Sequence, residues 1–484
     1  MQLKEMLHQI SYTVLQGSDT IEIHAPVYDS RKVSQNDLFV CITGFQTDGH
    51  QYIPMAIEKG ASAILVEHTV ENIPENITVI QTENNRQALA LLSANFYQHP
   101  ANDMHMIGVT GTNGKTSITY LIRSVLVQAG KKTGVIGTIE NRIGDRVIPT
   151  ERTTPESLEL QALLDTMRSE GVTDVMMEVS SHSLDLHRVD GIQYDIGIFT
   201  NLTQDHLDYH KTMENYKIAK SLLFARSKTS IINLDDAVGE FMRSAAKENV
   251  LTYAIEQSAD LQATQIEIDA EGTKFVLLYQ QKQYAVSLHT PGRFSVYNAL
   301  AAIGACLTLG ISIDMILNGI SSNTGITGRF QTIRSKNGVQ AVVDYAHTPD
   351  GLENVLKTAQ EFVKGKIIAV FGCGGDRDKT KRPIMGKIAG QYAGYCIITS
   401  DNPRTEDPEQ ILSDVEVGIK DTNCPYEKQV DRRIAIQRAV ALAQAGDVIL
   451  IAGKGHETYQ IFPDKTIHFD DVEEVRKAFG EDCI

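Results

Sequence analysis

Lys115 and Thr116 close the run Thr110-Gly-Thr-Asn-Gly-Lys-Thr116. Side chains of these types after a glycine loop do phosphate chemistry: the ammonium bridges terminal phosphate oxygens and the hydroxyl ligates magnesium. Small residues at Gly111 and Gly114 let the main-chain N–H groups of Gly111, Thr112, Asn113 and Gly114 approach phosphate oxygens, with Ser117 in the following turn. The usual motif has a further glycine five residues before Gly114; Val109 stands there, so this is a variant loop. The bland alternative is a glycine-rich turn that binds nothing. Gly-Lys-Thr in a strand-to-helix context weighs against it.

That context is an apolar run, Met104–Val109, before the loop and an amphipathic run, Ile118–Val127, after it. Strand, loop and helix add unpaired N–H groups and a positive dipole end at the phosphate position. Further polar groups follow other apolar runs. Glu178 ends one and precedes Ser180, Ser181 and His182; Asp205 and His206 follow another; Lys220 closes Tyr216-Lys-Ile-Ala-Lys220. In a parallel sheet such strand ends share one edge with the phosphate loop, so Thr116, Glu178 and His206 can share magnesium at bound ATP. Magnesium prefers oxygen, which makes His206 the less usual ligand. Taken singly, His206 and His210 read as an exposed pair at a helix start, and Lys220 as a surface lysine. Arg188 suits a substrate carboxylate or phosphate, or equally a structural ion pair.

Three more strand ends carry a second set: Phe371-Gly-Cys-Gly-Gly-Asp-Arg377, Asp401-Asn402-Pro403-Arg404 and Ala452-Gly-Lys-Gly-His-Glu457. Two arginines, an amide and a carboxylate suit a zwitterion, with its carboxylates on the arginines and its ammonium on Glu457. One such loop is only a turn, with Asn-Pro setting a helix start; three with complementary charges favour a site.

The elements that must position these groups form an α/β chain. Its 484 residues exceed one ordinary core and predict two or three domains. The first zone is 1–99, with strands at Asp37–Ile42 and Ala61–Val66, a helix at Tyr52–Lys59 and a polar linker near Tyr97–Asp103. The second, 100–327, alternates helices with strands at Val135–Ile139, Val175–Val179, Ile196–Thr200 and Ser230–Asn233, predicting a parallel sheet with ligands beyond its carboxyl edge. Leu261–His289 alternates apolar and polar residues around Asp-Ala-Glu-Gly and predicts an antiparallel hairpin insert; a helix over Val296–Leu309 closes the zone. The third, 328–484, has strands at Val339–Val343, Lys366–Phe371, Tyr395–Thr399 and Val448–Ile451 and predicts a second, Rossmann-like doubly wound sheet.

Composition excludes several classes. Hydrophobic residues make up 42% and charged residues 22%, which fits a globular protein. A net charge of -16 without a basic cluster disfavours nucleic acid as a partner. No apolar stretch is long enough for membrane insertion. The N-terminal Met1–Val14 has no signal-peptide core, so the expected location is cytoplasmic. Cys41, Cys306, Cys373, Cys396, Cys424 and Cys483 form no CxxC pair, which argues against a zinc ribbon or disulfide framework.

Taken together, these motifs resemble one family. Thr-Gly-Thr-Asn-Gly-Lys-Thr, Glu178–His182, Thr200–His210, Tyr216–Lys220, Gly328–Phe330 and Asp344–Asp350 resemble, in order and across nearly the whole chain, the Mur ligases, ATP-dependent amide-forming enzymes of peptidoglycan precursor synthesis. Asp29–Val33 with Asp37–Val40, Thr153–Ser157 and Asp-Asn-Pro-Arg are similar to the type that adds meso-diaminopimelate. The resemblance implies a monomer that joins meso-diaminopimelate to UDP-N-acetylmuramoyl-L-alanyl-D-glutamate through an acyl phosphate, releasing ADP and phosphate. It implies that Lys115 and Thr116 handle ATP and magnesium, and that Glu178 and His206 are metal ligands. Lys220 would be carbamylated by carbon dioxide to N6-carboxylysine, a further metal ligand. Asn298, Arg329 and Asp344 would contact nucleotide, with His347 nearby. Ser30, Thr153, Thr154, Ser180 and Arg188 would hold the UDP substrate. Arg377, Asp401, Asn402, Pro403, Arg404, Gly453 and Glu457 would hold diaminopimelate. Leu186 departs from the polar residue expected beside the muramoyl peptide. Rival readings are a sister ligase adding L-lysine or D-alanyl-D-alanine, a folate polyglutamate ligase, or a catalytically silent nucleotide-binding relative. Asp-Asn-Pro-Arg and Thr-Thr-Pro argue against the sister enzymes; Lys115, Glu178, His206 and Lys220 together argue against the silent relative.

Overall fold

A computed structural model describes residues 1–45, 47–150 and 152–480. Three large sheets follow one another along the chain. The first has five strands in the order Thr13–Gln16, Thr78–Gln81, Ala63–Val66, Leu38–Val40, Pro26–Val27, all parallel except the first. Helix Asn85–Phe96 covers it, its first N–H groups capped by the Asn84 side chain.

The central sheet has eleven strands, with His105–Thr110 between Asp174–Glu178 and Tyr194–Phe199 and parallel to both. From His105–Thr110 the chain moves outward to Thr133–Ile136, returns through Asp174–Glu178, then crosses to Tyr194–Phe199 on the far side. A crevice opens at that reversal beyond the carboxyl ends. These strands are continuous apolar runs because helices cover both faces; Asp174–Glu178 is buried at every position. Helix Arg293–Thr308 packs against the helix Lys115–Gln128 within the same core.

The expected hairpin insert is larger. It is a three-stranded meander, Leu261–Asp269, Gly272–Tyr279 and Lys282–Leu288, and it extends the central sheet through Tyr253 opposite Leu261. Its second turn is Gln280-Gln281, both with positive φ (49° and 61°). Without glycine, asparagine or proline there, the turn left no mark in the sequence. The short hairpin Asn141–Ile143 with Arg146–Ile148 and the strand Asn249–Ala254 were also missed. The segment near Tyr97–Asp103 runs from the helix Asn85–Phe96 to the strand His105–Thr110 of the central sheet. It includes a 3₁₀ turn with Pro100 and Ala101 buried, and Arg168 donates to the carbonyls of Tyr97 and Gln98 at 3.3 Å each.

The third sheet has six strands in the order Gln331–Arg334, Gln340–Asp344, Val448–Ala452, Ile367–Phe371, Tyr395–Thr399, Tyr426–Gln429, parallel but for the first. Asn402-Pro403 does not start a helix, which removes the bland alternative for this loop. The next helix begins at Pro408, where Asp407 supplies the cap that Asn402 does not. A ribbon, Tyr459–Ile461 with Thr466–His468, follows the last parallel strand.

Cys41, Cys306, Cys373, Cys396 and Cys424 are free thiols, with the Cys396 and Cys424 sulfurs 3.8 Å apart; Cys483 lies outside the described residues. No helix among the described residues is long and apolar enough to cross a membrane.

Candidate active site

The phosphate loop turns from strand to helix through Gly111 (φ 147°) and Gly114 (φ 88°). A Cβ at Gly111 would lie 1.8 Å from Thr200 Oγ1, and one at Gly114 2.6 Å from Asn298 Oδ1, so both positions require glycine. The neighbouring strand end holds the loop. Thr200 Oγ1 donates to the Asn113 carbonyl (2.6 Å), and Asn113 N donates to Asn201 Oδ1 (2.9 Å). Lys115 Nζ donates to the carbonyls of Gly111 (2.9 Å) and Thr112 (2.8 Å). Lys220 Nζ donates to the same Gly111 carbonyl at 2.8 Å. Lys220 is no surface lysine: its side chain is 1% exposed, with Nζ 4.6 Å from the Tyr216 ring centre. Helix Met213–Ser221 carries it inward because Tyr216, Ala219 and Lys220 share the buried stripe. Burial, then the nearby Lys115 charge, pushes the Lys220 amine well below the ordinary lysine range; burial also lowers Lys115.

Glu178 is buried at the end of its strand and fully engaged. Its Oε1 accepts from Thr116 Oγ1 and Thr138 N, and its Oε2 from Thr138 Oγ1, each at 2.9 Å. Arg329 arrives from the third sheet's side, Nη2 donating to Thr116 Oγ1 at 3.3 Å and the guanidinium lying 4.8 Å from the Tyr345 ring centre. Asp344, one residue before Tyr345, accepts from Phe330 N (2.7 Å) and Ala346 N (2.8 Å), and burial raises its carboxyl. His347 is exposed, its Nδ1 2.8 Å from the Tyr345 carbonyl. The histidine pair is asymmetric rather than wholly exposed. His210 is buried, with Nε2 2.8 Å from Ser181 Oγ, whereas His206 keeps 45% exposure beside Asp205 (3.4 Å). Partial burial, with the His182 ring 4.9 Å away, holds His206 near a pKa of about 4, so it is neutral at neutral pH.

A cavity of about 510 Å³ adjoins this cluster. Thr153, Thr154, Ser180, Arg188 and His206 line it, together with Phe45 and Arg86 from the first sheet's side. Arg188 lines the cavity and forms the structural ion pair, its partner being Glu156 at 2.8 Å. Thr154 Oγ1 donates to the Glu178 carbonyl at 2.8 Å and accepts from Ser180 N at 3.2 Å. Leu186 also lines the wall. Ser30 does not join these residues: it is buried, its hydroxyl directed at Met55 Sδ (3.4 Å).

The other predicted set gathers at the carboxyl edge of the third sheet. Asn402 Nδ2 donates to Glu457 Oε2 at 2.9 Å. Arg404 Nη1 donates to the Gly375 carbonyl at 2.9 Å, and Arg377 Nη1 to the Asp376 carbonyl at 2.9 Å. Gly374 lies between the Arg404 guanidinium and the aliphatic stem of Arg377. Asp401 Oδ1 accepts from Asn402 N (2.6 Å), the Pro403 carbonyl packs against Gly375, and Gly453 N donates to the Asp344 carbonyl (3.1 Å), joining the loops that follow Val448–Ala452 and Gln340–Asp344. Sequence reasoning did not single out Lys454, which is fully buried with Nζ 3.2 Å from Asn402 Oδ1 and 3.1 Å from Glu457 Oε2. A lysine between two glycines at a buried strand end was the available signal. Thr138 and Asp350 were missed too, since their partners Glu178 and Asn113 are distant in sequence.

Comparison with known proteins agrees with this geometry. Models of the Mur ligase family match in order: the catalytic domain at residues 22–97, the middle domain at 109–306 and the glutamate ligase domain at 328–455. The chain is 48% identical, over 99% of its length and 100% of the relative's, to UDP-N-acetylmuramoyl-L-alanyl-D-glutamate–2,6-diaminopimelate ligase 1 of Clostridium acetobutylicum. It is 46% identical, over 99% and 100%, to the ligase so named in Clostridioides difficile. A solved structure of a diaminopimelate ligase of the same name superposes with a TM-score of 0.72 at 36% identity, covering 99% of each chain. With full-length relatives at this identity, and with the phosphate loop, buried lysines and third-sheet crevice in one chain, the protein belongs to the Mur ligase family.

Proposed function

We propose that this chain is the ATP-dependent ligase that joins meso-diaminopimelate to UDP-N-acetylmuramoyl-L-alanyl-D-glutamate in peptidoglycan precursor synthesis. One observation carries the reading. Thr154 lines the cavity and bonds the main chain of Glu178, whose side chain bonds Thr116 of the phosphate loop. An acyl donor in the cavity and a triphosphate on the loop therefore meet across one residue.

In this reading the free side-chain carboxylate of the D-glutamyl residue attacks the γ-phosphorus of ATP, ADP leaves, and an acyl phosphate forms. The diaminopimelate amine then attacks the acyl carbon; phosphate leaves and a proton is released. Lys115 offsets the repulsion between the two anions, and the loop N–H groups orient the phosphates. Arg404 and Arg377 hold carboxylates of the zwitterion, while Glu457, braced by Lys454 and Asn402, receives an ammonium. Arg188 and Thr153 hold the UDP substrate.

Magnesium fits the donors present. The Thr116 hydroxyl and the Glu178 carboxylate, 2.9 Å apart, would hold it through oxygen, and His206, which lines the adjoining cavity, would add a nitrogen ligand. When bound, the ion supplies charge neutralisation at the triphosphate. Lys220 fits carbamylation: burial pushes the amine well below the ordinary lysine range, and carbon dioxide adds to the unprotonated form. The carbamate would place anionic oxygen donors beside Lys115. The division into units 1–99, 100–327 and 328–484 belongs to the same reading, supported by the separate sheets.

The test is phosphate release from ATP with UDP-N-acetylmuramoyl-L-alanyl-D-glutamate, offered meso-diaminopimelate, L-lysine or L-ornithine separately. Release should depend on the dipeptide and be fastest with meso-diaminopimelate. Preference for L-lysine would overturn the amine assignment, and release independent of the dipeptide would overturn the ligase reading.

A further inference from the structure

Polar contacts between the third sheet's side and the phosphate loop concentrate in two places. Arg329 reaches Thr116 at the first turn of the helix. Asp350 reaches the loop itself: its Oδ2 accepts from Asn113 Nδ2 (2.7 Å), Thr203 Oγ1 (2.8 Å) and Asn354 Nδ2 (3.1 Å). Asn113 lies at the loop's apex, and Thr203 lies two residues before Asp205-His206. Thr203 is itself locked to the loop, its N–H donating to Thr112 Oγ1 at 3.0 Å. One carboxylate oxygen thus joins the phosphate loop, the loop bearing His206, and the helix Pro349–Gln360 of the third sheet's side.

A carboxylate aimed at a phosphate loop works against anion binding, so its presence needs a reason. Asp350 occupies the first turn of its helix, beside the positive end of the dipole. The Thr348 cap and Pro349 fix that turn, so the carboxylate has little freedom to move away. Charge-assisted hydrogen bonds from neutral donors are stronger than neutral ones. They bind the two sides without placing a competing cation near Lys115.

We propose that Asp350 is a positioning residue that anchors the third sheet's unit to the phosphate loop, fixing the approach of the amine to the acyl phosphate. The inference rests on the ligase reading above and adds a residue to it. Asp350 touches no reacting atom; it acts through Asn113 and Thr203.

The test uses the full-length protein and the variants Asp350→Ala, Asp350→Asn and Thr203→Val. The readouts are steady-state kinetics in each substrate and small-angle scattering with a non-hydrolysable ATP analogue. Asp350→Ala should lower kcat/KM for diaminopimelate about 10- to 100-fold. The KM for the UDP-dipeptide should stay within about twofold, and the radius of gyration with the analogue should exceed that of the parent. Asp350→Asn keeps an acceptor and should fall between. Thr203→Val should lose about fivefold in the same parameter, and added to Asp350→Ala should cost nothing further. Parental kinetics and scattering in Asp350→Ala would overturn the proposal, as would an equal loss on all three substrates with unchanged scattering. Should Asp350→Ala fail to fold, parental kinetics in Thr203→Val would overturn it. Failure of the ligase reading would look different, because the parent itself would then release no phosphate with diaminopimelate.

Discussion

Lys115 and Lys220 donate to one acceptor, the main-chain carbonyl of Gly111, at 2.9 and 2.8 Å. Burial, and then the Lys115 charge beside it, pushes the Lys220 amine well below the ordinary lysine range. In the function proposed above, Lys220 is the amine that takes up carbon dioxide and Lys115 is the cation at the phosphates.

Replacing Lys220 with alanine should leave turnover at least about 100-fold lower, comparable to losing a major electrostatic group. Added short carboxylic acids should restore part of it by entering the vacated space. Turnover measured with and without acetate checks this; absence of any restoration would count against the carbamate.

Arg404→Ala should impair use of diaminopimelate far more than that of ATP. A charge-assisted contact contributes about 1.5–3 kcal/mol, or roughly 10- to 150-fold. Separate KM values for ATP and diaminopimelate decide the matter, since equal losses would make Arg404 structural.

Thr154→Val keeps the shape of the side chain but removes the donor to the buried Glu178 carbonyl and the acceptor for Ser180 N. The expected cost is about 1–2 kcal/mol, five- to thirtyfold in kcat/KM for the UDP-dipeptide. Unchanged kinetics in that substrate would show that the link between cavity and phosphate loop is dispensable.

Glu406 provides a pH prediction. The buried Arg382 guanidinium grips it with two hydrogen bonds of 3.0 Å and draws its pKa down from 4.5 to about 2. A carboxyl lowered in the folded state contributes stability that is fully present above pH 4.5 and fades as the pH falls toward about 2. Glu406 also accepts from Asp376 N at 2.6 Å, so its protonation loosens the loop before Arg377. Urea unfolding across that window should show a steeper acid loss in the parent than in Glu406→Gln; identical slopes would remove Glu406 from the account.

Much was legible in the chain because local chemistry leaves local marks. Gly111 and Gly114 could be read as obligatory because a loop approaching phosphate excludes side chains, and the alternation from Leu261 onward announced antiparallel strands. The Gln280-Gln281 turn was not legible, since side chains that usually avoid positive φ make it. Lys220 carried no sign of burial in its composition; helical phase and the packing of Tyr216 turned it inward. The direction of the Ser30 hydroxyl was not legible either; its short 3₁₀ turn aims it at Met55 Sδ.

The sequence by itself determined the kinds of groups at each strand end and, through the order of apolar runs, that these ends would share sheet edges. Only the tertiary structure decided which groups meet. The pairings of Lys115 with Lys220, Thr154 with Glu178 and Asp350 with Asn113 join residues up to 237 positions apart. Long-range packing sets those distances, and it depends on how whole helices and sheets fill space against one another rather than on any pattern within a few residues.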